Sequence, residues 1–286
     1  MKIAIISDTH LAHGAKDFTA NCLASLAWID KVGADLVIHL GDITLDGVND
    51  PAQFAFARDI LSNLRTPLHL VPGNHDVGDN PSPGVEATEP PPRADQLALY
   101  RETFGPDHWV LVLAGWTLIG LNSLIFGLGN HEEEAQFAWL DQTLAAATGP
   151  VGLLLHKPLF RNDAENDERH PRYVPRAVRA RLLAKLAPHD LRFVLCGHTH
   201  QLRFMQSQGV DHLWAPSTAF VLPDSLQEPI GEKEVGVMML TLMPDDHRAE
   251  FHAPPGMARH DILNYETLFP QIGEMRKTGM FTRRYR

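Results

Sequence analysis

Apolar residues recur along this chain in short runs, each stopped by Gly, Asp, Asn or His, with longer stretches of mixed character between them. A short continuous apolar run bounded by turn residues reads as a buried strand. Ile3 to Ile6 is the first, closed by Ser7-Asp8-Thr9-His10, and Leu36 to Leu40 is the second, closed by Gly41-Asp42. Leu68 to Val71 is the third, closed by Pro72-Gly73-Asn74-His75-Asp76. Between them, Phe18, Cys22, Leu26 and Ile29 fall at helical spacing within Asp17 to Val32, and Phe54 to Leu64 reads as a second helix. Strand, loop and helix in alternation argue for βαβ units and a parallel sheet.

The pattern breaks from Asp79 to Pro92, where Pro81, Pro83, Pro90, Pro91 and Pro92 predict a long surface loop over the strand ends. Long irregular loops in compact domains tend to carry function. A helix is expected over Asp95 to Phe104, then a hairpin of Trp109 to Leu113 and Trp116 to Leu121 around Ala114-Gly115. Glu132 to Ala147 reads as an amphipathic helix whose early acidic residues suit the helix dipole. Val151 to Leu155 is a strand ending in His156, followed by a polar segment, Arg161 to Tyr173, and a helix, Pro175 to Leu186. Arg192 to Cys196 is a strand ending in Gly197-His198-Thr199-His200, and strand-like runs follow at Arg203 to Gln206, Val210 to Trp214 and Val235 to Leu242. Residues 254–286 are weakly patterned and close on basic Arg283-Arg284-Tyr285-Arg286, so the expected division is a main domain over 1–253 and a C-terminal extension over 254–286.

The strand ends repeat one design. They carry Asp8, His10, Asp42, Asn74, His75, His156, His198 and His200, and in open α/β sheets ligands bind at the strand carboxyl ends. A lone Asp after a strand is ordinarily a helix cap and a lone His an ordinary loop residue, but independent strand ends that all supply oxygen or imidazole ligands predict a metal site. In an extended backbone, His198-x-His200 and Asp8-x-His10 would each present their side chains on one side. Carboxylate, imidazole and amide oxygen without thiolate suit Mn, Fe or Zn and exclude a Cys-type structural zinc. The ligands outnumber what one ion takes; two ions about 3.5–4 Å apart, bridged by a carboxylate, would use them all.

Composition narrows the partners. A formal charge of −10 provides no footprint for a nucleic-acid polymer, while a small phosphorylated ligand held by metal ions remains compatible. The two cysteines, Cys22 and Cys196, do not make a disulfide framework. No stretch approaches a membrane span, and the amino terminus turns polar too soon for a signal segment, so the expected address is the cytoplasm. Homo-oligomerisation is left open.

Asp-x-His, Gly-Asp, Gly-Asn-His-Asp, a strand-end His and Gly-His-x-His, in this order over residues 8 to 200, resemble the calcineurin-like metallophosphoesterase superfamily. The resemblance implies a four-layer α/β/β/α sandwich: two mixed β-sheets flanked by helices, with a dinuclear metal site at the strand carboxyl ends. It implies that Asp8, His10 and His200 bind one metal, that Asn74, His156 and His198 bind the other, and that Asp42 bridges them. A hydroxide between the metals would attack phosphorus in line. His75 would not be a ligand but would steady developing charge or protonate the leaving oxygen. Asp76 would either hold the His75 imidazole or stabilise the turn as an Asx residue.

Within the superfamily, Asp8-Thr9-His10-Leu11, Leu99-Tyr100-Arg101-x-x-Phe104-Gly105 and Ala215-Pro216-Ser217-Thr218-Ala219-Phe220 resemble the class III cyclic-nucleotide phosphodiesterase and glycerophosphodiesterase branch. The His-His-Pro-Pro of many members stands here as His156-Lys157-Pro158-Leu159, with Lys157 expected to be solvated. The expected activity is hydrolysis of a diester in a small substrate of the cyclic-nucleotide or glycerophosphodiester type. A phosphomonoesterase (protein phosphatase or nucleotidase) is the enzymatic rival, and a non-catalytic metal-binding scaffold the rival of another class. Substrate choice is expected in three loops, Gly78 to Arg93, Arg161 to Tyr173 and Phe220 to Glu232. His13, His131 and His170 are expected at the surface, His39 and His69 in the core or behind the ligands, and the tryptophans in the core.

Overall fold

The computed structural model describes residues 1–81, 89–165 and 170–278. Pro83 of the expected loop, part of the polar segment after Arg161 and the basic run Arg283 to Arg286 lie outside these residues. In chain order the first elements are β1 (Lys2–Ile6), α1 (Lys16–Val32), β2 (Leu36–His39), α2 (Ala52–Leu61), β3 (Leu68–Leu70), α3 (Asn74–Val77) and α4 (Ala94–Phe104). The middle of the chain forms β4 (Trp109–Leu113), β5 (Trp116–Leu121), α5 (His131–Ala146), β6 (Val151–Leu155), α6 (Arg176–Leu186), β7 (Leu191–Cys196), β8 (Arg203–Ser207) and β9 (Val210–Trp214). Then come β10 (Phe220–Val221), β11 (Val237–Leu242), β12 (His247–His252), β13 (His260–Asp261) and α7 (Pro270–Thr278).

Two mixed sheets result, one ordered β12-β11-β1-β2-β3 and the other β4-β5-β6-β7-β9-β8. β1, β2 and β3 run parallel in the first, and β5, β6, β7 and β9 run parallel in the second. Alternation along β1 explains the layers, because successive strand side chains point to opposite faces. Ile3 and Ile5 join Ile38, Trp116, Leu154, Phe193 and Leu195 between the two sheets. Ala4 and Ile6 turn the other way and pack with Cys22, Leu26, Ile29 and Phe54 of α1 and α2. On the far side, Leu153, Leu155 and Val194 pack with Phe137, Leu140, Leu182 and Leu186 of α5 and α6. The architecture is the expected α/β/β/α sandwich, with Trp109, Trp116 and Trp214 buried in it.

The hairpin at Ala114-Gly115 forms as expected, both residues taking positive φ (51° and 83°). Three strands went unread in the sequence: β10 and β13, two residues each and paired in parallel, and β12, a sheet edge whose residues are mostly half-buried and polar, so no hydrophobic alternation marks it. The weakly patterned C-terminal stretch contributes Ile262, Phe269 and Ile272 to an apolar cluster with Phe18 and Phe220. Among the described residues no helix is long and apolar enough to cross a membrane.

All motif-bearing turns follow the carboxyl ends of parallel strands, so the two sheets deliver them to one edge of the sandwich. Close approach there requires glycine: a Cβ on Gly73 would lie 2.0 Å from the Asp42 backbone nitrogen, and one on Gly197 would lie 1.9 Å from Ser7 Oγ. The inter-sheet packing predicts that Leu154→Ala, a fully buried position, costs about 2–5 kcal/mol. Val112→Ala, on the exposed side of β4, should fall within about 0.5 kcal/mol of the parent. Denaturant midpoints at unchanged m value test the contrast.

Candidate metal centre

The site begins with the backbone. Asp8, His10, Asp42, His198 and His200 all occupy the left-handed region, with φ of 53°, 46°, 52°, 66° and 51°. Such conformations disfavour residues with a Cβ and persist only where the surroundings over-determine them, which happens characteristically at functional sites. Here the surroundings are other motif turns. The Asp8 and His10 N–H groups donate to the carbonyls of Gly41 (2.9 Å) and Asp42 (3.1 Å), and Gly197 N–H donates to the His156 carbonyl (3.0 Å). Ser217 Oγ donates to the Asp8 carbonyl, and the Ser7 carbonyl accepts from Thr218 N–H.

The twisted backbone corrects one expectation. The backbone at His198 and His200 is left-handed, not extended, and each imidazole joins a different group of donors. Asp8, His10, Asp42 and His200 offer donor atoms within 4.8 Å of one another, and Asp42, His156 and His198 do the same. Asp42 belongs to both sets. Its Oδ2 lies 3.9 Å from His10 Nε2 on one side and 3.3 Å from His156 Nε2 on the other. Asn74 joins the second set, its Oδ1 standing 3.2 Å from His156 Nε2.

Backbone carbonyls decide which nitrogens face inward. His156 Nδ1 donates to the Leu40 carbonyl (2.7 Å) and His200 Nδ1 to the Phe220 carbonyl (2.9 Å), so a neutral ring at either position turns the lone pair of Nε2 into the site. His156 Nε2 then meets Asn74 Oδ1, the Asp42 carboxylate and His198 Nδ1 at 3.1–3.3 Å, and His200 Nε2 meets His10 Nε2 at 3.2 Å and Asp8 Oδ1 at 3.3 Å. Acceptors crowded in this way call for a cation between them. Asp8 shows the same need within one side chain. Oδ2 is occupied by Ser7 Oγ and His198 N–H, whereas buried Oδ1 has no hydrogen-bond partner among the described residues. The donor set, all oxygen and imidazole, fits Mn, Fe or Zn.

Electrostatics agree. Burial pushes the Asp42 carboxyl up, but His156, His75 and His10 more than reverse this and hold it well below the usual carboxylate range. Burial takes His10 and His198 well below the usual imidazole range, leaving neutral rings suited to coordination. Burial would lower His156 as well, yet Asp42 and Asp8 carry it up to about 9, so a proton and a metal ion compete for its inward nitrogen.

His75 stands beside the sets. Its N–H donates to Asp42 Oδ1 (3.0 Å), its ring meets His10 edge-on at 4.8 Å, and burial is outweighed by Asp42 and Glu89, which hold the imidazole above its usual value. The expected bond from Asp76 to that imidazole is absent; the Leu45 carbonyl takes His75 Nδ1 instead, at 2.8 Å. Asp76 is spent on backbone, accepting from Gly73 N–H (2.8 Å), Ile43 N–H (3.2 Å), Thr44 N–H (2.8 Å) and Thr44 Oγ1 (2.7 Å). It joins the Gly41 and Gly73 turns, and its carboxyl is pushed up to about 6 by burial and by Asp42.

Lys157 also departs from expectation: it is fully buried, not solvated, and bonds Asp79 and Asn80. His39 lies buried behind the ligands against Thr9 Oγ1 (2.9 Å). His13 and His131 are exposed, and His170 is half-buried. Arg161 pairs with Glu228 at 2.6 Å, tying together two of the expected substrate loops.

Residues 1–202 match the family described as calcineurin-like phosphoesterase. The chain is 29% identical over 196 residues to a probable cyclic nucleotide phosphodiesterase of Psychrobacter arcticus, covering 66% of this chain and 65% of that one. It is 27% identical over 267 residues to a probable cyclic nucleotide phosphodiesterase of a Synechococcus species, covering 88% of this chain and 92% of the relative. A dimetal phosphatase of Danio rerio superposes with a TM-score of 0.64 over 88% of this chain and 95% of its own, at 14% identity, a likeness of fold alone. The matched span contains every strand-end residue of the two ligand sets, and the chain belongs to the calcineurin-like phosphoesterase family, hydrolases of phosphoric ester bonds.

Proposed function

We propose that this protein hydrolyses a phosphodiester bond in a small substrate of the cyclic-nucleotide or glycerophosphodiester type, using two metal ions. The observation that carries the reading is the membership of Asp42 in both ligand sets. Asp8, His10 and His200 would hold one ion and Asn74, His156 and His198 the other, with Asp42 between. Bound there, Mn, Fe or Zn ions activate a water nucleophile at neutral pH and neutralise charge on the phosphoryl group.

The chain's own residues do the rest. Strained turns and backbone carbonyls pre-set the ligands, so little reorganisation is left for the reaction. His75, fixed through Nδ1 to Leu45, turns its other nitrogen outward beside His10, where it donates to charge developing on a phosphoryl or leaving oxygen. Its raised affinity for a proton suits that task.

The choice of diester rests on charge. A monoester dianion calls for cationic side chains that fork onto its oxygens. The metal-site motifs contain no arginine, and the buried cation beside them, Lys157, is already committed to Asp79. Two curated relatives named as probable cyclic nucleotide phosphodiesterases support the same choice.

Metal analysis should find two ions per chain, and Asp42→Asn should reduce that stoichiometry; saturation at one ion, unchanged in the variant, overturns the two-ion reading. His75→Ala should retain both ions and lose about 10²–10⁴-fold in kcat. Loss of metal in that variant would make His75 a ligand, and a near-normal rate would remove it from the chemistry. With one metal at one pH, kcat/KM for bis(p-nitrophenyl) phosphate should exceed that for p-nitrophenyl phosphate. A clear preference for the monoester moves the assignment to phosphatase.

A further inference from the structure

Lys157 follows the ligand His156, and its ammonium is buried between two residues of another loop, Asp79 and Asn80. Burying a charge pair is costly, and an apolar replacement of similar volume is often no less stable. The pair's position shows what it secures. Asp79 lies just beyond α3, the short helix that begins with Asn74, and Gly78 N–H bonds back to the Asn74 carbonyl at 3.0 Å. Asp79 is further pinned by its N–H to the Pro90 carbonyl (2.9 Å). On the other side, Lys157 N–H donates to Ser123 Oγ at 3.1 Å. The Lys157–Asp79 pair therefore ties the turn after β3 in one sheet to the turn after β6 in the other, beside Asn74 and His156. Asn80 points its Oδ1 at the ammonium (2.7 Å), leaving its buried Nδ2 without a partner among the described residues.

The first set has cross-sheet ties of its own. Thr218 N–H bonds the Ser7 carbonyl and Ser217 Oγ bonds the Asp8 carbonyl, while His198 N–H, from the second set, bonds Asp8 Oδ2. None of these involves Lys157.

We propose that Lys157 is a positioning residue for the second ligand set: anchored on Asp79 and Asn80, it fixes the distance between Asn74 Oδ1 and His156 Nε2 and so sets that set's metal affinity independently of the first. The inference rests on the reading of the two sets as metal sites. Groups that orient ligands typically change metal affinity by about 10–100-fold when removed.

The test is release of manganese(II) from the loaded full chain to a chelator, with bound metal counted at each step. Asn74→Ala identifies which step belongs to the second set. Lys157→Met should weaken that step by about 10–100-fold and leave the other unchanged. The opposite sign is informative, because the Asp79 carboxylate, no longer neutralised by the Lys157 ammonium, would attract a cation. A tightened second step means charge without positioning and overturns the proposal. Equal shifts of both steps mean a general structural role and overturn it too, as does no shift at all. Asn80→Ala removes one anchor and keeps both charges, so it should shift the same step in the same direction by less; it carries the test if Lys157→Met does not fold, and an unmoved second step then overturns the proposal. A parent chain that saturates at one ion takes down the two-ion reading and this inference together. Two ions in the parent with an unmoved Lys157→Met profile takes down this inference alone.

Discussion

A carboxylate that must stay ionised where water hardly reaches is the constraint on which this structure turns. Asp42 is almost fully buried, and burial alone would neutralise it. It keeps its charge because imidazoles from both sheets face it and the His75 N–H bonds it. Of the rings around it, His156 and His75 have their outward nitrogens tied down by the Leu40 and Leu45 backbone carbonyls. Each layer of order requires the next, out to strands whose apolar residues hold the turns rigid.

Strain is distributed in the same way. The left-handed residues of the centre would each relax if isolated, but the Asp8, Asp42, Asn74 and His198 turns bond one another, so no one turn can relax alone. Asp76 makes this concrete, reaching from one turn to the Ile43 and Thr44 N–H groups and the Thr44 hydroxyl of its neighbour. The cost is met by packing in three apolar layers, where small shifts are resisted.

Much of this was legible in the sequence because apolar strands and their polar stops are local patterns. Asp8, His10, Asp42, His156, His198 and His200 each follow such a run, and the fold gathers them into two overlapping sets. What was illegible is non-local. Lys157 resembled any loop lysine because its partner lies 78 residues away. His198 and His200 were read as extended neighbours because no sequence pattern announces a positive φ at histidine. The orienting groups at Leu40, Leu45 and Phe220 are carbonyls, which every residue has, so side-chain chemistry could not mark them. Of the two roles read for Asp76, the hydrogen bond to the His75 imidazole does not form and the turn-stabilising one does: its partners are mostly backbone N–H groups, which side-chain chemistry does not mark. Strand β12 escaped because an edge strand need not be apolar on either face.

The place of β1 in its sheet has a kinetic side. Its parallel neighbour β2 follows after one helix, but its antiparallel neighbour β11 pairs Lys2 with Thr241 and Ile5 with Met238, across most of the chain. A chain emerging from the ribosome therefore presents β1 with one open edge until the late strands exist, and non-local pairings of this kind fold slowly. An open apolar edge is also a template for a neighbouring chain. The carbonyl of Phe220 that orients His200 arrives late as well. Placing Asp8 and His10 at the middle of a sheet thus makes the centre one of the last features to mature, and leaves the nascent chain dependent on whatever shields that edge in the interval.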